Sequence, residues 1–177
     1  MGIDGALLAA TTVKRLHLSR CRFLRSGSGA IFVSRCENVV IDNNLIDGAA
    51  TGIAVVNGTT AGEHTRIEGN LVRNLFFRKI ALFHGNGITV EAGAMVTGNV
   101  VESAPGFGIL VGRDVHDASV AKNDIRSAHI GIGIPTAIAE TALISGNRIS
   151  SVRDGAIRAM SGPTPVGPDL ADRYATS

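Results

Sequence analysis

The chain has 177 residues, a formal charge of +2, no Trp, 22 glycines and a 45% apolar share. That length allows one domain with a sizeable core, and so many glycines with so few aromatics argue for short strands and tight turns over a helical bundle. The charges are scattered, so no Lys/Arg run marks a nucleic-acid stripe, and no apolar run is long enough to span a membrane.

The two cysteines, Cys21 and Cys36, make neither a disulfide framework nor a metal site. Cys21 reads as a small core residue, and Cys36, just after a strand, as an exposed one. The N-terminus lacks the basic start and long apolar stretch of a secretory signal, and Ala6 breaks the myristoylation pattern. As written, the chain carries no address.

In chain order, residues 1–17 are expected to form a partial first coil or a cap, with a strand over 12–18. A hexad of the form Ile-x-x-Asn-x-Ile then recurs six times, at 18–23, 41–46, 67–72, 96–101, 120–125 and 144–149. Each is followed by small-Ile-x-Val, at 30–33, 52–55, 87–90, 108–111, 131–134 and 156–159. The central residues are Cys21, Asn44, Asn70, Asn99, Asn123 and Asn147, spaced 23, 26, 29, 24 and 24 apart.

An irregular period in the low twenties with two strand signals per period is a solenoid signature. Leucine-rich repeats share the period but need a helix or several fixed leucines per repeat. The alternating, β-branched runs here predict an all-β fold: a right-handed parallel β-helix of six to seven short coils. Stacked coils lie about 4.8 Å apart, so like residues fall on like. The flanking Ile and Val residues should form inward aliphatic columns. Each Asn should sit at a bend, bonding its neighbours above and below and satisfying turn backbone groups. The residue before it is Gly69, Gly98, Gly146 or Asn43, types that tolerate a left-handed backbone. Arg20 and Lys122 depart from that, so their corners are expected to differ.

The helix is expected to occupy residues 1–160. The proline-rich stretch beyond it should be an irregular tail over 161–177, because proline cannot donate to a ladder. One coil is unusual: fifteen residues separate Val72 from Ile88, where the others have six or seven. This insert loop, 73–86, carries Phe76, Phe77 and Phe83, and inserted loops commonly shape the binding face of a solenoid.

The Gly-Asn-x-hydrophobic hexads paired with Gly-Ile-x-Val resemble the right-handed parallel β-helix repeats of the pectate-lyase-like superfamily. Three stretches are similar to a narrower family: 67–76, 87–112, and 154–170 with its Asp-Gly-Ala-Ile-Arg-Ala-Met and Gly-Pro-Asp-Leu. That family is the twin-arginine-translocated, uncharacterised repeat proteins of α-proteobacteria, and the resemblance covers roughly residues 35–172. It implies a periplasmic or secreted protein of unknown function. The chain lacks the twin-arginine signal and the upstream coils, as a shortened member or a C-terminal portion would.

Candidate chemistry lies on the outer positions. Asp42 and Glu68 are equivalent on consecutive coils, with Arg73 nearby in sequence. They are the candidates for an acid/base pair, in a polysaccharide lyase or a glycoside hydrolase acting on an acidic polysaccharide. An enzyme requires these three to converge in one groove. A Ca²⁺ seat at the two acids is the one cofactor alternative; otherwise no cofactor is expected, and no histidine pair has metal-ligand spacing. A second column reads Leu24, Asp47, Arg73, Glu102, Arg126, Ser150 and alternates in sign, as a structural ion ladder or a sugar-binding strip. Asp47, Glu102, Arg126, Arg78 and His84 are the candidate substrate contacts. The leading reading is a β-helix module that binds carbohydrate or serves a structural role without catalysis. The alternatives are the polysaccharide enzyme and a self-assembling module forming a homo-oligomer. No nucleic-acid partner is expected.

Overall fold

The computed structural model describes residues 6–56, 64–78, 85–91, 93–112, 118–138 and 142–174. Each period holds three strands rather than two, because the Asn breaks the hexad at its middle. The first face stacks Leu8–Thr11, Gly29–Ser34, Thr51–Val56, Asn86–Val90, the later parts of Val100–Val111 and Asp124–Pro135, and Ile157–Ser161. The second stacks Leu16–Ser19, Val39–Asp42, Thr65–Glu68, Ala94–Thr97, Ala118–Ala121 and Leu143–Ser145. The third stacks Arg22–Leu24, Leu45–Asp47, Leu71–Arg73, the beginnings of the two long strands, and Arg148–Ser150. All these pairings are parallel. The six-stranded second face takes one strand from each coil, so the coil count agrees only roughly with six to seven.

Register puts like on like. Leu18, Ile41, Ile67, Val96, Val120 and Ile144 form one inward column. Phe23, Ile46, Val72, Val101, Ile125 and Ile149 form the second. Ile31, Ile53, Ile88, Ile109, Ile132 and Ile157 form the third. The middle coils of these columns are wholly buried. Each such side chain contributes about 1.5–3 kcal/mol by leaving water.

The small residue that opens each first-face strand has a packing reason. A Cβ on Gly87 would lie 2.4 Å from the Gly108 carbonyl oxygen and 2.5 Å from Val101 Cγ1. The third-face aliphatic column already fills that space, so a larger residue must displace core or backbone.

The Asn ladder joins the second and third faces. Asn70 Nδ2 donates to Asn99 Oδ1 at 2.9 Å, and the Asn70 backbone N–H donates to the same oxygen at 3.0 Å. The same two bonds join Asn44 to Asn70, Asn99 to Asn123 and Asn123 to Asn147. Each amide also donates backward to a carbonyl of the preceding coil, as Asn99 does to Ile67 at 2.9 Å. All five asparagines are buried. At the first coil Cys21 contributes only its backbone N–H, to Asn44 Oδ1 at 2.9 Å. The residue before each rung has φ between 55° and 64°, and Arg20 and Lys122 share that conformation at 55° and 56°. Their corners therefore do not differ, because the ladder bonds outweigh the roughly 1 kcal/mol that an L-residue loses there.

Cys36 is buried, not exposed. Its thiol donates to the Ser34 carbonyl at 3.3 Å and accepts the Val13 N–H at 3.4 Å, and neither cysteine is in a disulfide. The tail is not irregular throughout. Thr164–Asp169 turns back on Ile157–Ser161 as an antiparallel strand, which stops the parallel stack. Proline is tolerated there because an edge strand needs donors on one side only. Asp169 holds the hairpin, accepting backbone N–H groups from Ala156, Ile157 and Ala171 at 2.6, 3.0 and 3.0 Å. Arg158 donates to the Asp154 and Gly167 carbonyls at 2.6 and 3.0 Å. The Gly-Ala-Ile-Arg and Gly-Pro-Asp elements are thus one terminal clasp. Among the described residues no helix is long and apolar enough to cross a membrane.

Candidate functional site

Function must lie on the outward positions, and the coil register decides which of them meet. Ser19, Asp42 and Glu68 fall in one outer column of the second face. Asp42 is the better-bonded carboxylate of that column. Ser19 donates to its Oδ2 at 2.8 Å, Asn43 to the same oxygen at 2.8 Å, and His17 Nε2 lies 2.6 Å from Oδ1. Those three bonds, led by Ser19, hold the Asp42 carboxyl below the usual carboxylate range. Glu68 turns to Arg66 on its own strand, at 3.5 Å.

Arg73 stands across the ladder corner, on the third face. It donates through Nε and Nη2 to Asp47 Oδ2, at 3.0 and 2.9 Å. Asn74 donates to Asp47 Oδ1 at 2.7 Å. Asn74 first, then Arg73, hold the Asp47 carboxyl low. Further along that column Arg126 donates to Glu102 at 3.0 Å and clamps Asp124 on its own strand. Arg126 likewise lowers the Asp124 carboxyl. The alternating column thus breaks into two ion pairs, Asp47–Arg73 and Glu102–Arg126. Exposed pairs of this kind are worth about 0–1 kcal/mol each.

This arrangement has chemical consequences. A general acid at neutral pH needs a raised carboxyl pKa, and Asp42, Asp47 and Asp124 are all lowered. Ser19 and His17 both bond Asp42 and do not bond each other, so no base activates the hydroxyl. Asp42 and Glu68 sit together, while Arg73 is bonded to a different acid on a different face. A Ca²⁺ seat needs six to eight oxygens, and Asp42 already spends its oxygens on Ser19, Asn43 and His17. Among the described residues no group of three or more His, Cys, Asp or Glu is placed to hold a metal ion.

The insert begins at the corner between the third and first faces. Leu75 is buried there, and the Phe76 N–H donates to the Ala49 carbonyl at 3.0 Å. Phe76 and Phe77 are left 39% and 62% exposed. Arg78 reaches back two coils and donates to the Gly27 carbonyl at 2.6 Å. His84 and Phe83 lie outside the described residues. Sequence reasoning missed His17 and Ser19. The signal was available in the spacing, since counting one coil back from Asp42 lands on Ser19, two residues after His17.

No solved structure matches the chain. It is similar to the uncharacterized protein YclG of Bacillus subtilis, 25% identical over 188 residues, an alignment that takes in 82% of this chain. The chain spans 31% of that protein's length. A family model described as "Right handed beta helix region" matches residues 4–125. With the stacked parallel coils and the buried Asn ladder, that match places the chain in the right-handed β-helix family.

Proposed function

We propose that this β-helix repeat domain is a non-catalytic carbohydrate-binding module whose binding corner runs from Asp47 and Arg73 to Phe77. One observation carries the reading: two phenylalanine rings stand exposed directly after a fixed set of planar polar groups. Sugar rings present apolar C–H faces and a rim of hydroxyls. Exposed aromatic rings meet the former, and Arg, Asn and carboxylate groups meet the latter. The insert is the longest connection at this corner, fifteen residues against six or seven, and insertions on solenoids concentrate at binding faces. The lowered carboxyls favour binding over proton transfer. An exported or envelope setting is consistent with such a ligand, and belongs to the same proposal.

The test is retention on a panel of immobilised neutral and acidic polysaccharides. The wild-type chain is expected to be retained by at least one of them. The F76A/F77A double variant should lose at least about tenfold in affinity, about 1.4 kcal/mol, with its melting temperature unchanged. No retention on any polymer, or unchanged retention of the variant, overturns the reading. Release of unsaturated uronates, read by absorbance, would overturn its non-catalytic part.

A further inference from the structure

The charge of the molecule is not evenly spread along its axis. Between residues 6 and 36 there are six cations, Lys14, Arg15, Arg20, Arg22, Arg25 and Arg35, and no carboxylate. All six are exposed, and none takes part in an ion pair with a described residue. Five of them ring the first coil, and Arg35 stands on the coil stacked against it. Arg20 stands at the corner between second and third faces, and Arg22 on the third face beside it. Arg25 stands at the next corner, and Lys14, Arg15 and Arg35 at the remaining one. Arg20, Arg25 and Arg35 hold left-handed backbones at φ 55°, 55° and 52°. On later coils the equivalents of Arg20 and Arg25 are mostly Gly, Asn and Ser. Arginine gains the fold nothing at such corners, so their charge calls for another account.

The same coil exposes three aliphatic side chains among these cations. Leu7, Val13 and Leu24 are 56%, 37% and 47% exposed. As aliphatic chains they offer no flat ring face for a sugar to stack on. A membrane surface has a use for both, since headgroup charge attracts the arginines and the acyl boundary accepts the aliphatics. We infer that the first coil is a docking surface for an anionic phospholipid bilayer, met by the ring of cations with Leu7, Val13 and Leu24 entering the interface. Like charges around the whole rim also oppose the pairing of two copies through this coil. The inference rests on other residues than the carbohydrate-binding proposal, although Leu24 and Arg25 stand one coil from Asp47 at the same corner.

The experiment is co-sedimentation of the 177-residue chain with phosphatidylcholine vesicles, with and without phosphatidylglycerol. Partition is expected only onto the vesicles containing phosphatidylglycerol. R20Q/R22Q/R25Q keeps side-chain length and backbone, so it should fold as the wild type does. It should weaken partition about a hundredfold, from about fivefold per charge. K122Q/R148Q/R153Q removes the same charge from distal coils and should leave partition nearly unchanged. High salt should weaken wild-type binding without abolishing it, and L24S should make the loss in salt complete. Equal partition onto neutral vesicles, or equal loss in the distal variant, overturns the inference. So does binding of soluble polyuronate by the collar with no partition onto any vesicle.

Discussion

Two corners of each coil share one backbone device and differ in everything else. At the ladder corner a left-handed residue, Asn43, Gly69, Gly98, Lys122 or Gly146, precedes a buried Asn. At the corner between third and first faces the left-handed residue is Gly48, Asn74, Ser103, Ser127 or Ser151, and the buried residue that follows it on four of those coils, Ala49, Leu75, Ala104 or Ala128, is apolar and cannot form a side-chain hydrogen-bond ladder. The ladder corner never changes length, because its side chain must meet the coils on both sides. The other corner ranges from six residues to fifteen between flanking core positions. A corner held across coils by a ladder of buried side-chain bonds is scaffold. A corner joined across coils by backbone bonds and apolar packing, with no buried side-chain ladder, can accept an insertion, and the exposed aromatics stand there.

The sharpest way to break this contrast is to remove a central rung. Asn99→Leu strands the Asn70 N–H and the Ile67 carbonyl, both bonded to Asn99 now, in a buried site. At 1–3 kcal/mol for each unsatisfied group, a loss of about 3 kcal/mol is expected. Asn74→Ala, at the open corner, should cost only about 1 kcal/mol, most of it from holding Ala at the left-handed φ of 54°, since Asp47 stays solvated and keeps Arg73. Urea midpoints compare the two, and equal losses would end the distinction.

The C-terminal clasp comes next in size. Asp169→Ala removes an acceptor from three backbone N–H groups, much as the loss of a helix cap does, and should cost about 1–2 kcal/mol. Burial pushes the Asp169 carboxyl up, but the Ile157, Ala156 and Ala171 N–H groups and the Arg158 charge together hold it below its ordinary value of 3.8. A depressed folded pKa gives stability that is complete above that ordinary value and is lost as pH falls through the folded one. The terminal hairpin should therefore loosen at pH below about 4, read as amide exchange at Ala156 and Ile157. Asp169→Ala should lose that acid sensitivity, whereas exchange at Asn99 should not follow it.

How much of this was legible depended on whether the period itself carried the information. The Asn ladder, the aliphatic columns and the pairing of Asp42 with Glu68 follow from stacking like on like, so spacing alone revealed them. The small residue before each Ile was visible as a pattern, but its cause needed the third face in place, with Val101 beside Gly87. The tail was misjudged because a proline count says nothing about direction. Pro165 and Pro168 exclude an inner parallel strand and permit an outer antiparallel one. Cys36 was misplaced because a residue past a strand end can still turn inward. The cationic ring was hidden by the opposite error, since residues scattered in sequence gather when the chain coils.

Smaller effects sharpen the outer surface. Arg73→Ala should change stability by less than about 1 kcal/mol, as exposed ion pairs do, and yet reduce polysaccharide retention if the corner binds sugar. Normal retention with normal stability would move the binding site elsewhere.

The smallest expected effect tests why both corners tolerate residues other than glycine. Lys122 lies in the left-handed region at φ 56°. Lys122→Gly relieves about 1 kcal/mol of steric cost in the folded chain. Glycine also frees the unfolded chain, costing about 0.5–1 kcal/mol in return. The two terms nearly cancel, so the midpoint should move by no more than about 0.5 kcal/mol. The same change at Ser103, φ 57° at the open corner, involves the same two terms and should give the same near-zero result. If Lys122→Gly alone were strongly stabilising, the ladder would be holding a strained corner against its own preference, and bonds between coils would dominate local backbone cost.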